Sequence, residues 1–442
     1  MTPPSPPQSK RALDREIFAL AIPAFATLVS EPMLLLADSA IIGHLGTSQL
    51  AGLGIAANIL GILAGLSIFL AYGTTGTVAR RLGAGDRAGA LAGGVDGIIL
   101  GVGLGIGLCV ILQLLMPTVI GWYGVEPVVA DAATRYLRIA ACGLPSLLLL
   151  LASTGVLRGL QDTRTPLYVA VTTNLVNIGL NLGLVYGLDL GIAGSALGTL
   201  IAQTAAAGYL AAIVIRGSRR EHAEIRFRLW GVLAAARSGV WLIARTATVH
   251  AAITLTTLVA ATGGAVSLAA HQVVNSVWIL LAFALDAIAI AGQAIIGRQL
   301  GAGEVALARS MTRRMVGWGV VCGVAFGALV LVTRPLYVGL FSPDADVQRL
   351  VGQVLVAVAV ITPISGVVFV LDGVLIGAGD GRYLALAGLL ALLAYVPLAL
   401  IVNAQHGGLV WLWAAYGGFT LARMITLVLR VRSDRWIRVG AL

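Results

Sequence analysis

Asp38 stands about twenty residues inside the first long apolar run of this chain. A carboxylate at that depth in a membrane helix costs about 2.5–3.5 kcal/mol on insertion scales. Desolvation favours its neutral form, so Asp38 is suited to gain and lose a proton. Glu31 lies seven residues earlier, about two turns away on the same helical face, as a second protonatable group. Pro32 follows it and Pro23 precedes it, and each removes a backbone hydrogen bond and can bend the helix. Asn174, Asn177 and Asn181 recur at i, i+3 and i+7, which lines one face of another helix with amides. Amides in a bilayer need partners, and Asp38 with Thr199 or Gln203 would serve. A second charged set, Arg245, Asp286 and Asp372, falls in later apolar runs. A buried arginine is costly unless paired, so Asp286 or Asp372 is expected to neutralise Arg245. Asp96 is a weaker candidate for a similar role. The five histidines, His44, His222, His250, His271 and His406, have no metal-ligand spacing. Neither a metal site nor a nucleophile–base pair is evident, and the chain does not read as an enzyme.

These residues must be held by membrane helices. Hydrophobic residues make up 59% of the 442, charged ones only 11%, and the mean hydropathy is +0.96. A soluble domain has about 25% charged residues, so most of this surface faces lipid. Twelve candidate spans begin near residues 17, 49, 92, 132, 165, 190, 232, 266, 312, 350, 383 and 408. The net charge of +10 comes from arginine, since Lys10 is the only lysine. Basic segments recur after every second span, as the positive-inside rule requires. That places both termini in the cytoplasm of a multi-pass protein of the cell's inner (plasma) membrane. It also explains the basic charge without nucleic acid. Arg135, Arg138, Arg334 and Arg349 fall toward the other side. The prolines before Lys10 read as a disordered tail, and no cleavable signal is apparent. Cys109, Cys142 and Cys322 read as packing thiols. Trp122, Tyr123, Trp411 and Trp413 fit an interfacial belt.

The chain also repeats itself at one fixed interval. Leu82-Gly83-Ala84-Gly85-Asp86 returns as Leu300-Gly301-Ala302-Gly303-Glu304. Gly155-Val156-Leu157 and Gly373-Val374-Leu375, Pro145 and Pro363, and Asp162 and Asp380 keep the same interval. The implied fold is an all-α integral membrane protein of twelve transmembrane helices in two six-helix lobes. Six crossings return the chain to its starting side, so the lobes should be related by a pseudo-two-fold axis along the membrane normal. The expected divisions are a cytoplasmic tail over 1–16, an N-lobe over 17–216 and a cytoplasmic linker over 217–231. A C-lobe over 232–432 and a cytoplasmic tail over 433–442 complete the chain. Gly101, Gly103, Gly105 and Gly107 lie inside an apolar span and read as close helix packing, not a nucleotide loop.

Read in order, three motifs carry a family resemblance. They are Ala37-Asp38-Ser39-Ala40-Ile41-Ile42-Gly43-His44-Leu45-Gly46, Arg81-Leu82-Gly83-Ala84-Gly85-Asp86 and the three asparagines. Together they resemble the multidrug and toxic compound extrusion (MATE) family. Glu31-Pro32, Arg245-Thr246, Leu285-Asp286 and Leu371-Asp372-Gly373 resemble its DinF-like branch. The resemblance implies a secondary antiporter that expels organic, cationic or amphipathic compounds by alternating access, driven by inward proton or sodium flow. Family members often carry aspartate at the position of Asn181. Its loss removes a carboxylate that a hard cation would favour. Proton coupling at Asp38 is therefore expected, with the proton as coupling ion, no cofactor, and sodium as the alternative. The expected partners are small organic molecules and the lipid bilayer, with the chain a monomer. A lipid-linked saccharide flippase of the same superfamily is the other alternative. It would want a strongly basic central cavity, and Arg245 is the one obvious intramembrane cation.

Overall fold

The structure is a computed structural model that describes residues 10–223 and 226–441. The first nine residues of the predicted tail, residues 224 and 225 of the predicted linker, and residue 442 lie outside the described residues. Every regular element among the described residues is helical. The first half contains α1 (Lys10–Gly43), α2 (Thr47–Ser67), α3 (Phe69–Gly83), α4 (Arg87–Gly121), α5 (Pro127–Ala141) and α6 (Leu144–Gly159). It ends with α7 (Arg164–Leu182), a π-helical turn (Gly183–Gly187) and α8 (Gly191–Arg220). The second half contains α9 (Leu229–Thr262), α10 (Ala265–Gly301), α11 (Val305–Phe341), α12 (Ala345–Gly377), α13 (Gly381–Ala404) and α14 (Gly408–Arg432).

Eleven spans among the described residues are long and apolar enough to cross a bilayer. The pair α5 and α6 makes a twelfth, bent by 50° at its break. Pro145 sits in the first turn of α6, where its missing N–H costs nothing, so the chain can restart a helix there. The twelve predicted spans are thus all present. Large apolar side chains such as Leu114, Val332 and Leu340 are exposed, as a lipid-facing surface requires. Cys142 is exposed and Cys109 and Cys322 are half-buried, with Cys109 packed against a buried apolar cluster of the first half.

The repeat is written into the backbone as well. Gly46 and Gly264, Gly85 and Gly303, and Gln161 and Gly379 are matched positions, and all have positive φ, between 68° and 129°. Helix crossings repeat too. A Cβ on Gly105 would meet Pro145, and one on Gly323 would meet Pro363. Gly155 abuts Ala71 as Gly373 abuts Ala289. Small residues at these crossings let backbones touch, and the same crossings were kept in both copies.

The chain forms two compact units, one of Ala26–Val240 and the other of Met1–Phe25 with Trp241–Leu442. The divisions fall inside continuous helices, at the middle of α1 and within α9. Each unit therefore includes the opening turns of a helix whose remainder belongs to the other. In the unit containing α10 to α14, the opening of α1 is tied down by Asp14. Its carboxylate accepts from Arg314 Nε and Nη2 at 2.6 Å each and from Trp318 Nε1 at 2.7 Å. Glu16 pairs with Arg298, and Phe18 meets Trp318 edge-on at 4.7 Å. In the unit containing α2 to α8, Arg228, just before α9, grips Asp96 of α4 with two nitrogens, Nε at 3.3 Å. Asp96 and Arg314 are themselves matched positions of the repeat. The two clasps thus share one matched position with its charge reversed, while their other partners, Asp14 and Arg228, fall four residues out of register.

Candidate functional site

Asp38 is buried, 3% exposed, in the second half of α1. Its neighbours come from α7 and α8. Asn181 Nδ2 donates to Asp38 Oδ1 at 2.6 Å and to Asn177 Oδ1 at 3.0 Å. Asn177 donates to Thr199 Oγ1 at 2.9 Å. With its amide turned over, Asn177 presents nitrogen to Asp38 at 3.3 Å and oxygen to Thr199. Ser195 Oγ lies 3.5 Å from Asn181 Nδ2, and the buried Tyr136 of α5 reaches Thr199 and Ser195. The Oδ1 atom of Asn181 is buried with no hydrogen-bond partner. A Cβ on Gly198 would overlap the Asn181 amide oxygen, so a larger residue there would have to displace that amide. The π-helical turn follows Asn181 directly. Such turns are rare and recur at functional sites.

The third asparagine acts on backbone. Asn174 Nδ2 donates to Ser30 O at 2.7 Å, beside Glu31 and Pro32. Tyr186, in the π turn, donates to Ile41 O at 2.6 Å. The α7 segment thus holds α1 at three levels: Ser30, Asp38 and Ile41. Glu31 is exposed on α1, and among the described residues no hydrogen bond joins it to the amide cluster. The amide of Gln203 lies against Gly143, and no hydrogen bond joins it to the cluster among the described residues. Pro23 and Pro32 sit within one unbroken α1.

The equivalent place in the second copy is neutral. Thr256, the counterpart of Asp38, meets Tyr395, the counterpart of Asn177, at 2.6 Å. Around them Trp278, Trp413, Tyr416 and Phe419 pack edge-on or tilted. The charged set of this unit lies elsewhere. Arg245 Nη2 donates to Asp372 Oδ2 at 2.5 Å, and Arg423 donates to the same oxygen. Asp372 and Arg423 are buried, and Asp286 is half-buried on α10.

The MatE family model matches residues 23–182 and again residues 243–401, once on each copy of the repeat. The chain belongs to the MatE family. It is a multi-pass membrane transporter. Protein DETOXIFICATION 44, chloroplastic, of Arabidopsis thaliana is 28% identical, over 95% of this MatE chain and 83% of that protein. DNA damage-inducible protein F of Escherichia coli is 28% identical, over 83% and 81%. Among solved structures, the Vibrio cholerae MATE transporter VcmN in its bent form has a TM-score of 0.87 at 21% identity. It covers 97% of this chain and 99% of that one. A Pyrococcus furiosus transporter, described as having a binding pocket of reverse polarity, has a TM-score of 0.84 at 20% identity, over 97% of each chain.

Sequence reasoning missed four participants in this MatE chain. Arg423 lies in the middle of α14, and the argument used for Arg245 would have found it. Arg228 sits among the loop arginines and carries no signal that it grips Asp96. Tyr136 and Ser195 are single hydroxyls in apolar helices, with no periodic mark.

Proposed function

We propose that this protein is a proton-coupled antiporter that exports organic cationic or amphipathic compounds by alternating access, with Asp38 as the protonation site. The observation that carries the proposal is the pairing of Asp38 with Asn181. An ionised Asp38 accepts from Asn181 Nδ2, a charge-assisted bond. A protonated Asp38 is a donor, and Asn181 Oδ1, which has no partner and lies against Gly198, accepts from it once the amide turns over. One asparagine can therefore answer both protonation states, which an aspartate at 181 would do less well. Neutralising Asp38 weakens the middle of the three ties between α7 and α1. The tie at Ser30 is made beside Pro32, whose missing N–H already loosens the α1 ladder. With the ties at Ser30 and Ile41 kept, the stretch of α1 between them is then freer to bend as substrate leaves.

The same cluster argues against sodium. Hard cations prefer several oxygens including carboxylate. Asp38 is the one carboxylate among these amides and hydroxyls. Exchange of one proton for one monovalent cation moves no net charge. The pH gradient then supplies about 1.4 kcal/mol, or tenfold accumulation, per pH unit.

Transport into inverted vesicles with an imposed pH or sodium gradient tests this reading. Wild-type protein should accumulate substrate with the pH gradient alone, and Asp38→Asn should fall to background. Wild-type rates in Asp38→Asn would sink the role of Asp38. Strict sodium dependence would sink proton coupling.

A further inference from the structure

A cavity of about 780 Å³ lies within the unit of α10 to α14, among α11, α12, α14 and the segment after α14. It is far from Asp38 in sequence and takes no part in the chemistry above. One end is rimmed by Arg309, Arg313 and Arg432. Deeper, the walls are Val316 of α11, Val367 and Leu371 of α12 and Val428 of α14. From Arg309 to Val316 the wall climbs seven residues of α11, about 10 Å. Trp436 closes one side; its ring is buried and its N–H is satisfied by Val431 O at 3.0 Å. The site is therefore charged at one end and apolar along its depth, within the usual ligand-pocket range of about 300–1,000 Å³.

The charge balance identifies what fits. Asp434 also lines the cavity and pairs with Arg309 at 2.9 Å, so these two offset each other. Arg313 and Arg432 are exposed and have no carboxylate partner among the described residues. The positive-inside bias accounts for arginines at this end of the helices. It does not require two unpaired guanidiniums to converge on one apolar cleft. Guanidinium groups hold phosphate oxygens in bidentate fashion. Basic pockets between membrane helices suit anionic lipid headgroups.

We propose that this cavity binds one anionic phospholipid. Arg313 and Arg432 hold its phosphate, and the first part of an acyl chain lies against the valines of α11, α12 and α14. The lipid bridges three helices of one unit and so should brace that unit. Leu371, in the wall, directly precedes Asp372, so an occupied cavity also bears on the helix that carries the shared partner of Arg245 and Arg423.

The test uses the full-length protein in detergent, titrated with phosphatidylglycerol, phosphatidylcholine or inorganic phosphate and followed by native mass spectrometry and thermal unfolding. Phosphatidylglycerol should be retained and should raise the unfolding temperature, while phosphatidylcholine and inorganic phosphate should not. Each arginine near a charged surface is worth about fivefold, so Arg313→Gln with Arg432→Gln should weaken the lipid about thirtyfold. Asp434→Asn should strengthen it, because Arg309 is then released to the phosphate. Val428→Trp should block it by filling the apolar depth while leaving every charge in place. Equal retention of the two lipids would overturn the proposal, as would an unchanged preference in the double variant. Inorganic phosphate matching phosphatidylglycerol would also overturn it, because the site would then be a free-anion site.

Discussion

If the charge-reversed clasps pin the openings of α1 and α9, reversing one clasp as a pair should be tolerated and reversing half of it should not. The Asp96 side chain is 4% exposed and that of Arg228 is 29% exposed. Removing one partner of a fully buried pair costs about 3–5 kcal/mol. Arg228 keeps access to water, so the lower range of charge-assisted bonds, about 1.5–3 kcal/mol, is the better guide. A double-mutant cycle of Asp96→Ala and Arg228→Ala should therefore give a coupling of about 2 kcal/mol. In a unit of roughly 150–250 residues that is about 4–8 °C of unfolding temperature. Asp96→Arg alone should lose more, since two guanidiniums then face each other. Asp96→Arg with Arg228→Asp should recover most of the loss in both unfolding temperature and transport, because an arginine paired with an aspartate already stands at the position matching Asp96, in Arg314 with Asp14. A further variant serves as control. Asp96→Arg with Arg314→Asp keeps the net charge but leaves like charges in both clasps, and should not recover. A coupling below about 0.5 kcal/mol is the level of independent sites, and with failure of the paired reversal it would refute the reasoning.

Three further outcomes follow from the site. Gly198→Ala should displace the Asn181 amide and reduce transport as severely as Asn181→Ala, although it removes no polar atom; near wild-type transport would show that α8 can give way. Glu31→Gln should leave pH-driven exchange intact. If Glu31 carries a second proton, the variant should lose the response to membrane potential, worth about 2.3 kcal/mol per charge per 100 mV, as measured with potassium-diffusion potentials. Asp372→Asn leaves Arg245 and Arg423 facing each other in a buried site and should lower unfolding temperature more than Asp38→Asn does. The reverse ranking would show that the charged set of the second unit is not a structural tie.

The twelve spans and the amide-lined face of α7 were legible because membrane helices announce themselves by length and period. Asp38 was legible because an acid in an apolar run is expensive. Its partner Asn181 was legible only as one of three spaced asparagines, 143 residues away. The free Oδ1 of that amide is a matter of side-chain geometry and leaves no trace in sequence. The clasps were illegible for a different reason. Arg228 and Asp96 are 132 residues apart and Asp14 and Arg314 are 300 apart, and neither pair has helical spacing to join it. Sequence reading places divisions at polar loops such as 217–231, because loops are where apolar runs stop. The compact units divide at residues 25/26 and 240/241, inside α1 and α9, because packing decides which unit a helical turn joins.

That division gives the repeat a consequence beyond symmetry. The scaffold crossings recur in both copies, yet the place of Asp38 is held by Thr256 and that of Asn177 by Tyr395. Hydroxyls of threonine and tyrosine do not change charge in the physiological range, so only the first copy of this site can respond to protons there. The response must then travel by a physical element. From Asp38 back to Asp14 the chain is one unbroken helix. Its opening is fixed to α10 and α11 by Glu16 and Asp14. If Asp38 is the protonation site as proposed, a shift of α1 on its protonation would be carried along the same helix whose opening Glu16 and Asp14 fix. Cutting the tie at Asp14, by Asp14→Ala, should leave proton binding at Asp38 intact and uncouple it from transport. Unimpaired transport in that variant would show that the helix is not the connection.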